Sequence, residues 1–569
     1  MFIKNLISPR KALHFAGAVL GMTVLFADCG TSLQAEENYV FENLGRPITP
    51  KPLPLEAITV NKTGERIAWG WVSDPDRFGV FGIDIKTGKS TFIDLRQYRR
   101  SSQIRLDRGK NGHLYIYAGS PARFFKYDID SKELRDLGCP ASPAFYITGH
   151  AMSEEGVFYV GSYPGTHLVS VNTETDEVKY VARIAKDNRQ KYIISPVIGG
   201  DGTIYIPVGL HHSEVWAFNP KTGEQTQILS GELNALQGVA TLYVNQEGEV
   251  YGESKGTSFR CHPDRTEIIP ALPKGLAKLA TPKLDGIEYV ELDKEGRLVS
   301  RNVETGATER LKSDFAPGST LLYSIAEDET GKIWGGSFKP SNTWSYVPKT
   351  GEMEDWGRLV VPQTQVYDTL KYKDKLYLSS YSFAWLDQVD PVTRKVTRIG
   401  NLNEKHGMER IQHLVVGSDE MIYGPTRPAK GYLDGGIVKV NPKSLDFEVV
   451  VPIIKGLAPT SLVLIEETGE FFGTTTTQGG TSAIATEKDA RVFIWDPKTS
   501  KVVWSDPVIP GVKGWIWAAR GSNGLIYGVG DSNTLPSTPS PVRWSIPGNF
   551  PSTKVVPYVW RGVLPDRRK

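Results

Sequence analysis

Short apolar and aromatic runs alternate with polar turns along most of the chain, and this order repeats about every 40 to 50 residues. Within a run, apolar and polar side chains alternate, which predicts a β-strand with one face against a neighbouring layer. The clearest run, an apolar residue followed by an aromatic one, is typical of a second strand. It occurs at residues 114–119, 158–162, 204–205, 250–252, 333–335, 376–377, 422–424, 471–473 and 526–528.

A second recurring element is a turn whose fullest form is Asn-Pro-Lys-Thr-Gly. Forms of it occur at residues 84–88, 219–223, 347–351, 390–393 and 496–499. Asn or Asp bonds to its own backbone, Pro presets φ, and Gly accepts a left-handed conformation, so each group predicts a tight hairpin.

The two elements recur in a fixed order, so the sequence predicts an all-β fold, a β-propeller of four-stranded antiparallel blades. Stacking sheets radially covers apolar faces and strand edges that single sheets would expose. About eleven repeat units begin near residues 57, 103, 146, 192, 239, 277, 321, 365, 409, 459 and 514. A propeller ring usually holds four to eight blades. We therefore expect two rings, formed by residues 36–317 and 318–569, with the seam at the weakest repeat, 285–314. The alternative is one larger ring.

The N-terminus predicts export. Basic residues precede an apolar run at 13–27, and a polar segment with small residues ends at Ala35. This is the pattern of a signal peptide, residues 1–35, and it predicts a secreted or periplasmic protein. The alternative is a lipoprotein anchored through Cys29, which the preceding Asp28 disfavours. Cleavage after Ala35 leaves Cys139 and Cys261, whose spacing matches no cysteine metal site.

Charge argues against some partners. Lys and Arg total 66 against 64 for Asp and Glu, so no global field favours nucleic acid or an anionic membrane. An acidic ligand must therefore be held by local charge. The sequence does not define an oligomeric state.

Most candidate site residues lie after the second strands, in segments rich in His, Tyr and basic residues, and His150 lies at a blade-to-blade entry that can face the same rim. The turns expected on the opposite face are short and uniform, and irregular loops on a rigid scaffold usually carry function. The predicted catalytic residues are His150, Tyr163, His167 and His211. The predicted substrate-binding residues are Arg123, His212, Lys339, Trp385 and Arg427.

No motif for a metal or cofactor is present. His211 and His212 are adjacent, and on an extended strand they would point to opposite faces and could not ligate one ion together. Calcium-loop spacing, a phosphate-binding Gly loop and a serine-nucleophile elbow are absent from the sequence. We expect no resident cofactor, with a divalent metal left open.

Segments 160–172, 201–205 and 209–212 resemble secreted bacterial propellers that break down polysaccharides, namely the lyases and related enzymes that cleave rhamnose linked to glucuronic acid. Those propellers have seven blades. The resemblance implies that a histidine handles the proton and that basic residues hold the uronate. A shorter segment, 493–499, is similar to the Trp-docking repeat of quinoprotein propellers, but it occurs once.

The predicted function is cleavage of an acidic polysaccharide or oligosaccharide by β-elimination, with a hydrolase as a close variant. Arg123 would neutralise the carboxylate, and His150 or His167 with Tyr163 would supply the base and the acid. The alternative is a non-catalytic secreted propeller that binds glycan or protein on its loop face.

Overall fold

The computed structural model describes ten segments and four short strands. The segments are residues 44–98, 103–141, 146–209, 211–229, 231–235, 238–276, 281–360, 365–481, 483–521 and 524–531. The short strands are Phe2–Ile3, Phe41–Glu42, Trp544–Ser545 and Lys554–Val559. Phe2–Ile3 pairs with Phe41–Glu42. The rest of the predicted signal peptide, including Ala35 and the alternative lipidation site Cys29, lies outside the described residues.

The predicted β-propeller is confirmed, because the described chain is nearly all β and its strands form successive four-stranded antiparallel sheets. Helix is limited to Arg96–Tyr98, Glu232–Ala235 and Asn403–His406 in this part of the chain. Among the described residues, no helix is long and apolar enough to cross a membrane.

The chain divides into two compact units. The first unit is Pro50–Ser319, and the second unit combines Met1–Thr49 with Thr320–Lys569. The boundary predicted from the sequence lies between residues 317 and 318. In the second unit, Ile48 packs with Trp344 and Tyr346.

Six blades make up the first unit. In blade 1 the strands are Leu53–Val60, Arg66–Ser73, Phe78–Asp84 and Ser90–Asp94; in blade 2, Arg105–Arg108, Leu114–Gly119, Ala122–Tyr127 and Leu134–Gly138; in blade 3, Tyr146–Met152, Val157–Tyr163, His167–Asn172 and Val178–Arg183. In blade 4 they are Tyr192–Ile193, Val197–Ile198, Ile204–Gly209, Glu214–Phe218 and Gln225–Gln227; in blade 5, Thr241–Val244, Val250–Ser254, Thr257–Cys261 and Thr266–Ile269; in blade 6, Lys283–Leu284, Ile287–Leu292, Arg297–Asn302 and Thr308–Lys312.

The weakest sequence repeat, 285–314, forms most of blade 6 and packs against blade 1. Its first strand has only two residues, and the start of blade 1 pairs with its second strand, Pro54 with Glu291 and Leu53 with Leu292. The rings of Phe81 and Phe315 stack with centroids 4.7 Å apart.

Five further blades, numbered 7 to 11, make up the second unit. In blade 7 the strands are Leu322–Glu327, Ile333–Ser337, Thr343–Val347 and Glu352–Gly357; in blade 8, Gln365–Tyr372, Lys375–Tyr381, Trp385–Val389 and Val396–Asn401; in blade 9, Met408–Ile411, Val415–Val416, Ile422–Pro428, Gly436–Val440 and Phe447–Val450. In blade 10 they are Ala458–Ile465, Glu470–Thr476, Val492–Asp496 and Lys501–Asp506, and blade 11 begins with Gly514–Arg520 and Ile526–Asp531.

Blade 11 differs from the regular antiparallel blades. Its second strand pairs in parallel with Lys554–Val559, which pairs antiparallel with Trp544–Ser545. A parallel partner requires a long connection rather than a hairpin, and these two strands lie more than twenty residues apart in the sequence.

The apolar cores lie between consecutive blades, as radial stacking requires. Between blades 1 and 2, for example, Trp69 and Val80 pack with Ile116 and Phe125, all of them buried. Most of the second-strand aromatics that define the repeat belong to these cores, among them Tyr115, Tyr159 and Trp334, because each blade covers an apolar face of the next.

A β-bulge recurs near the start of the first strand in several blades. The extra residue is Glu56 in blade 1, Tyr323 in blade 7, Tyr367 in blade 8, Glu409 in blade 9 and Thr460 in blade 10. A bulge breaks the alternation of faces and re-aims side chains. These positions lie beside the end of the second strand, at the edge from which the loop to the third strand leaves.

The Asx turns are expected to contribute measurably to stability. In one of them the side-chain oxygen of Asn219 accepts hydrogen bonds from the backbone N–H groups of Lys221, at 2.9 Å, and Thr222, at 3.3 Å. Replacement of Asn219 by alanine should cost about 1 kcal/mol and lower Tm by roughly 2–4 °C in a thermal melt. Asn219→Asp keeps the acceptor and should melt like the wild type. Equal melting of the alanine variant would show that the backbone alone sustains the turn.

Candidate functional site

Arg123 lies on a strand rather than in a loop. The predicted loop after the second strand of blade 2 is only Ser120 and Pro121, because Ala122–Tyr127 is already the third strand. The Arg123 Nε lies 2.9 Å from an Asp136 carboxylate oxygen, and its guanidinium lies 5.8 Å from the ring centroid of Tyr98.

His150 is buried in the first strand of blade 3, with 7% of its surface exposed. Its ring packs edge-on against Phe158, with centroids 5.4 Å apart, and its Nδ1 has no hydrogen-bond partner among the described residues. Burial, assisted by the nearby Arg105, lowers the pKa of His150 to about 3. A neutral, enclosed imidazole is poorly placed to reach a polysaccharide.

Tyr163 and His167 each have an aromatic partner. The ring of Tyr163, at the end of the second strand, lies 4.6 Å from that of Tyr192 in blade 4. His167 begins the third strand, and its Nδ1 lies 3.2 Å from the Tyr180 hydroxyl. Burial, followed by the charge of Arg183, lowers the pKa of His167.

His211 and His212 lie in a bend, which corrects the argument that their side chains must diverge. Their ring centroids are 5.6 Å apart, and one ligand atom from each lies within 4.8 Å of the other and of an Asp187 oxygen. The extended geometry assumed from the sequence does not apply, because the chain turns between strands at this point.

A second group of charges lies near the first strands of blades 1 and 2. The Trp71 indole N–H donates to Glu56 at 2.8 Å, and Arg105 donates to Gln103 at 2.7 Å. Burial raises the pKa of Glu56 and lowers that of Arg105, although their mutual attraction opposes both shifts. Burial also raises the pKa of Asp107 to about 7. The opposite charges in this group largely compensate one another.

The second unit gathers aromatic rings from blades 7 and 8. The bulge residues Tyr323 and Tyr367 have ring centroids 5.5 Å apart. Phe338 lies 5.3 Å from Tyr323, and Tyr381 lies 6.1 Å from Tyr367. All four side chains are partly exposed. They come from strand starts and strand ends on the face that carries the loops between second and third strands.

Three cations of blade 9 adjoin these rings. Arg410 Nε donates to the Tyr367 hydroxyl at 3.0 Å, its Nη2 donates to Thr481 at 3.3 Å, and its guanidinium lies 4.6 Å from the Tyr381 centroid. Arg427 donates to backbone carbonyls, including that of Gly479 at 2.7 Å. Lys430 lies 3.8 Å from an oxygen of the buried Glu409. The eight side chains of the cationic aromatic site are Tyr323, Phe338, Tyr367, Tyr381, Glu409, Arg410, Arg427 and Lys430.

Electrostatics in this site reflect crowded positive charge. Burial, followed by repulsion from Arg410, lowers the pKa of Arg427 to about 10. Burial also lowers the pKa of Lys430, where attraction to Glu409 is opposed by repulsion from Arg410. Burial raises the pKa of Tyr323 to about 12. Half-buried cations that repel one another favour a bound anion.

Two of the three substrate-binding residues predicted in the second unit lie at this site. Arg427 is part of it, and the exposed Lys339 lies at its edge, with Nζ 5.6 Å from the Phe338 centroid. The third, Trp385, carries the Arg398 guanidinium over its ring at 4.2 Å. That contact covers one face of the indole, which leaves less of it to stack on a sugar.

Several site residues could not be selected from the sequence. Arg410, Tyr367 and Tyr323 lie at the starts of first strands, which the sequence indicates only as repeat boundaries. All three lie one or two positions after the first residue of their strand, and this position is the one sequence feature that they share. The bulge that re-aims Tyr323 and Tyr367 has no sequence signature of its own.

Comparison with known proteins gives similarity of fold. No family model matches the sequence, and no curated protein matches it. The solved structures similar to this chain include the extracellular domain of a putative one component system from B. thetaiotaomicron. That domain is 13% identical in sequence, and the match has a TM-score of 0.28. It covers 82% of this chain and 67% of the bacterial domain.

Two other structures are PorZ of Porphyromonas gingivalis, described as an essential bacterial surface component of the type-IX secretion system, and virginiamycin B lyase from Staphylococcus aureus. PorZ is 13% identical, with 85% of this chain and 72% of that chain covered and a TM-score of 0.33. The lyase is 9% identical, and the match covers 58% of this chain and 93% of the lyase with a TM-score of 0.29. These β-propeller-like structures identify no specific polysaccharide lyase family, and at such scores they carry no conclusion about a site.

Proposed function

We propose that the protein binds an acidic polysaccharide or oligosaccharide at the cationic aromatic site of the second unit. The carrying observation is the charge of that site: Arg410 and Lys430 interact with the carboxylate of Glu409, and Arg410 repels both Arg427 and Lys430. Among the described residues, three cations therefore lie with one interacting carboxylate beside partly exposed aromatic rings. A ligand that carries carboxylates would remove the repulsion between these cations.

The aromatic rings favour a carbohydrate as the carrier of those carboxylates. Tyrosine and phenylalanine present flat apolar faces beside polar groups, which suits a pyranose ring with its apolar and hydroxylated surfaces. Arg410 already has its orientation fixed by the Tyr367 hydroxyl and Thr481. These two contacts use two of the five N–H donors of a guanidinium, and among the described residues no hydrogen bond uses the others.

A β-elimination at the same site is a second candidate, favoured by the contact between Arg410 and Tyr367. Arg410 Nε donates to the Tyr367 hydroxyl at 3.0 Å, and in this candidate the Tyr367 oxygen, in its deprotonated form, takes the proton α to a uronate carboxylate. The C4–oxygen bond would then break, a C4–C5 double bond would form, and the leaving oxygen would take up a proton. Arg410 would stabilise the charge that develops on the carboxylate.

One experiment separates the two candidates. The full-length protein is incubated with a soluble polysaccharide containing rhamnose linked to glucuronate, and retention and ultraviolet absorbance are both followed. Binding predicts retention without new absorbance, whereas β-elimination predicts the absorbance of an unsaturated uronate. For a lyase, Tyr367→Phe should lower the rate by roughly two to four orders of magnitude while retention persists. If the protein neither retains the polysaccharide nor releases an unsaturated product, both candidates are contradicted.

The proposed ligand fits an exported protein. The N-terminal pattern predicts cleavage after Ala35 and a secreted or periplasmic location, where polysaccharides are encountered. N-terminal sequencing of the exported protein tests this directly, since a start near Glu36 supports it and a lipidated Cys29 would contradict it.

A further inference from the structure

We infer that the first unit binds a divalent first-row metal ion through Asp187, His211 and His212. One ligand atom from each of these side chains lies within 4.8 Å of the other two. Zinc bonds to imidazole nitrogen and carboxylate oxygen are about 2.0–2.2 Å long, so small side-chain rotations could bring all three atoms onto one ion. This site lies in the connection from blade 3 to blade 4 and in a loop of blade 4, and it is independent of the proposed glycan binding in the second unit.

A buried glutamine fixes the two loops that carry these ligands. Gln190 is fully buried and follows Asp187 in the connection from blade 3 to blade 4. Its amide N–H donates to the backbone carbonyl of His212 at 2.7 Å, and its side-chain oxygen accepts from the backbone N–H of His211 at 3.3 Å. The backbone N–H of Gln190 in turn donates to the Asp187 carbonyl at 3.1 Å. The ligand-bearing loops are therefore held together by a residue that is not itself a ligand.

One of the histidines also has the carboxylate partner typical of metal-binding imidazoles. His212 Nε2 lies 2.7 Å from Glu214 Oε1, so in the proposed site the ring would bind the metal ion through Nδ1. The other oxygen of Glu214 accepts the Trp216 indole N–H at 2.6 Å. Glu214 is thereby fixed in the orientation that holds the His212 ring.

Arg189 also contacts the proposed ligand Asp187. Its Nε lies 3.1 Å from both carboxylate oxygens, and its Nη2 lies 2.8 Å from one of them. The backbone N–H of Arg189 also donates to one of these oxygens, at 2.9 Å, so a metal bond to Asp187 would replace one of the Arg189 contacts. Two imidazoles and one carboxylate suit zinc and its first-row neighbours better than calcium or magnesium, which prefer oxygen ligands.

A second cluster, His113 with Asp128 and Asp130, serves as an internal comparison. This cluster offers one imidazole and two carboxylates, whereas the proposed site offers two imidazoles and one carboxylate. Asp128 accepts the backbone N–H groups of Asp130 and Ser131, and Asp130 accepts that of Lys62 and pairs with its side chain. No buried side chain like Gln190 links these three residues among the described hydrogen bonds.

The test is titration of chelator-treated full-length protein with Zn²⁺, followed by calorimetry and by metal analysis after dialysis. We expect one tightly bound ion per chain, and a loss of affinity of at least tenfold in each of His211→Ala, His212→Ala and Asp187→Asn. His113→Ala is the matched control and should bind like the wild type. Circular dichroism of each variant confirms that the β fold is retained.

The positioning role of Glu214 is tested in the same titration. Glu214→Gln keeps the shape but weakens the acceptor for His212, and its affinity for Zn²⁺ should fall about 10- to 100-fold with one ion still bound. The inference is overturned if the wild type binds no Zn²⁺. It is equally overturned if the three ligand variants bind like the wild type, or if binding is lost in His113→Ala instead.

Discussion

Arg410→Gln is expected to lower the affinity for a glucuronate-containing oligosaccharide by about 10- to 100-fold. Arg410 lies between the Tyr367 hydroxyl and Thr481 with its guanidinium near the Tyr381 ring, and it repels both other cations of the site. A hydrogen bond to a charged group contributes about 1.5–3 kcal/mol, and each 1.4 kcal/mol corresponds to a factor of ten in affinity. Isothermal calorimetry with the full-length protein measures the change.

Two variants control this experiment. Arg410→Lys keeps the charge but loses the planar fork, so it should recover only part of the affinity. Arg265→Gln removes an exposed arginine of the first unit that pairs with Asp264, and it should bind like the wild type. If all three variants bind equally well, the ligand is held elsewhere on the protein.

His150→Leu is expected to make the protein more stable than the wild type in acid, by about 2–3 kcal/mol at pH 4.5. The pKa of His150 falls from an ordinary 6.5 to about 3 in the folded protein, mainly through burial. Between these two values the unfolded chain binds a proton that the folded chain does not. Stability from this group is therefore complete above pH 6.5 and is lost as the pH falls toward 3.

The pH dependence of wild-type stability does not by itself report on His150, because Asp107 titrates in the opposite sense. The wild type must therefore be compared with the His150→Leu variant. The pKa of Asp107 is raised by burial from 3.8 to about 7, so the folded protein holds a proton that the unfolded chain has released in that range. Its contribution to stability increases as the pH falls. The wild-type profile adds both effects, whereas the comparison of wild type with His150→Leu isolates the histidine.

Chemical unfolding at pH 7.5, 6 and 4.5 provides the measurement. Parallel profiles for His150→Leu and the wild type would mean that His150 takes up a proton in the folded state. That result would restore His150 as a proton-transfer candidate.

Much of the fold could be predicted because each blade repeats the same local chemistry. The apolar-aromatic strand and the Asx turn recur in order, so one physical interpretation applied to all units. Two features escaped this reasoning. Blade 6 lacks the signature, and the start of blade 1 pairs with its second strand. Blade 11 takes a parallel partner from the C-terminal part of the chain, a pairing that no local pattern encodes.

The candidate site was less predictable because it depends on breaks in the regular pattern. Tyr323 and Tyr367 are extra residues in bulges, so alternation along the strand gives the wrong face for their side chains. The geometry of His211 and His212 likewise follows from a bend, not from an extended strand. Arg427 could be predicted as a site residue because it lies near the end of a second strand, where the repeat marks the position of the functional loops.

The most direct test of the central proposal compares two forms of one ligand, a glucuronate-containing oligosaccharide and the same oligosaccharide after its carboxyl groups are reduced to alcohols. Calorimetry with the full-length wild type should show binding of the acidic form that weakens as salt is raised, and binding at least tenfold weaker for the reduced form. Equal affinity for the two forms would contradict recognition of carboxylates by Arg410, Arg427 and Lys430.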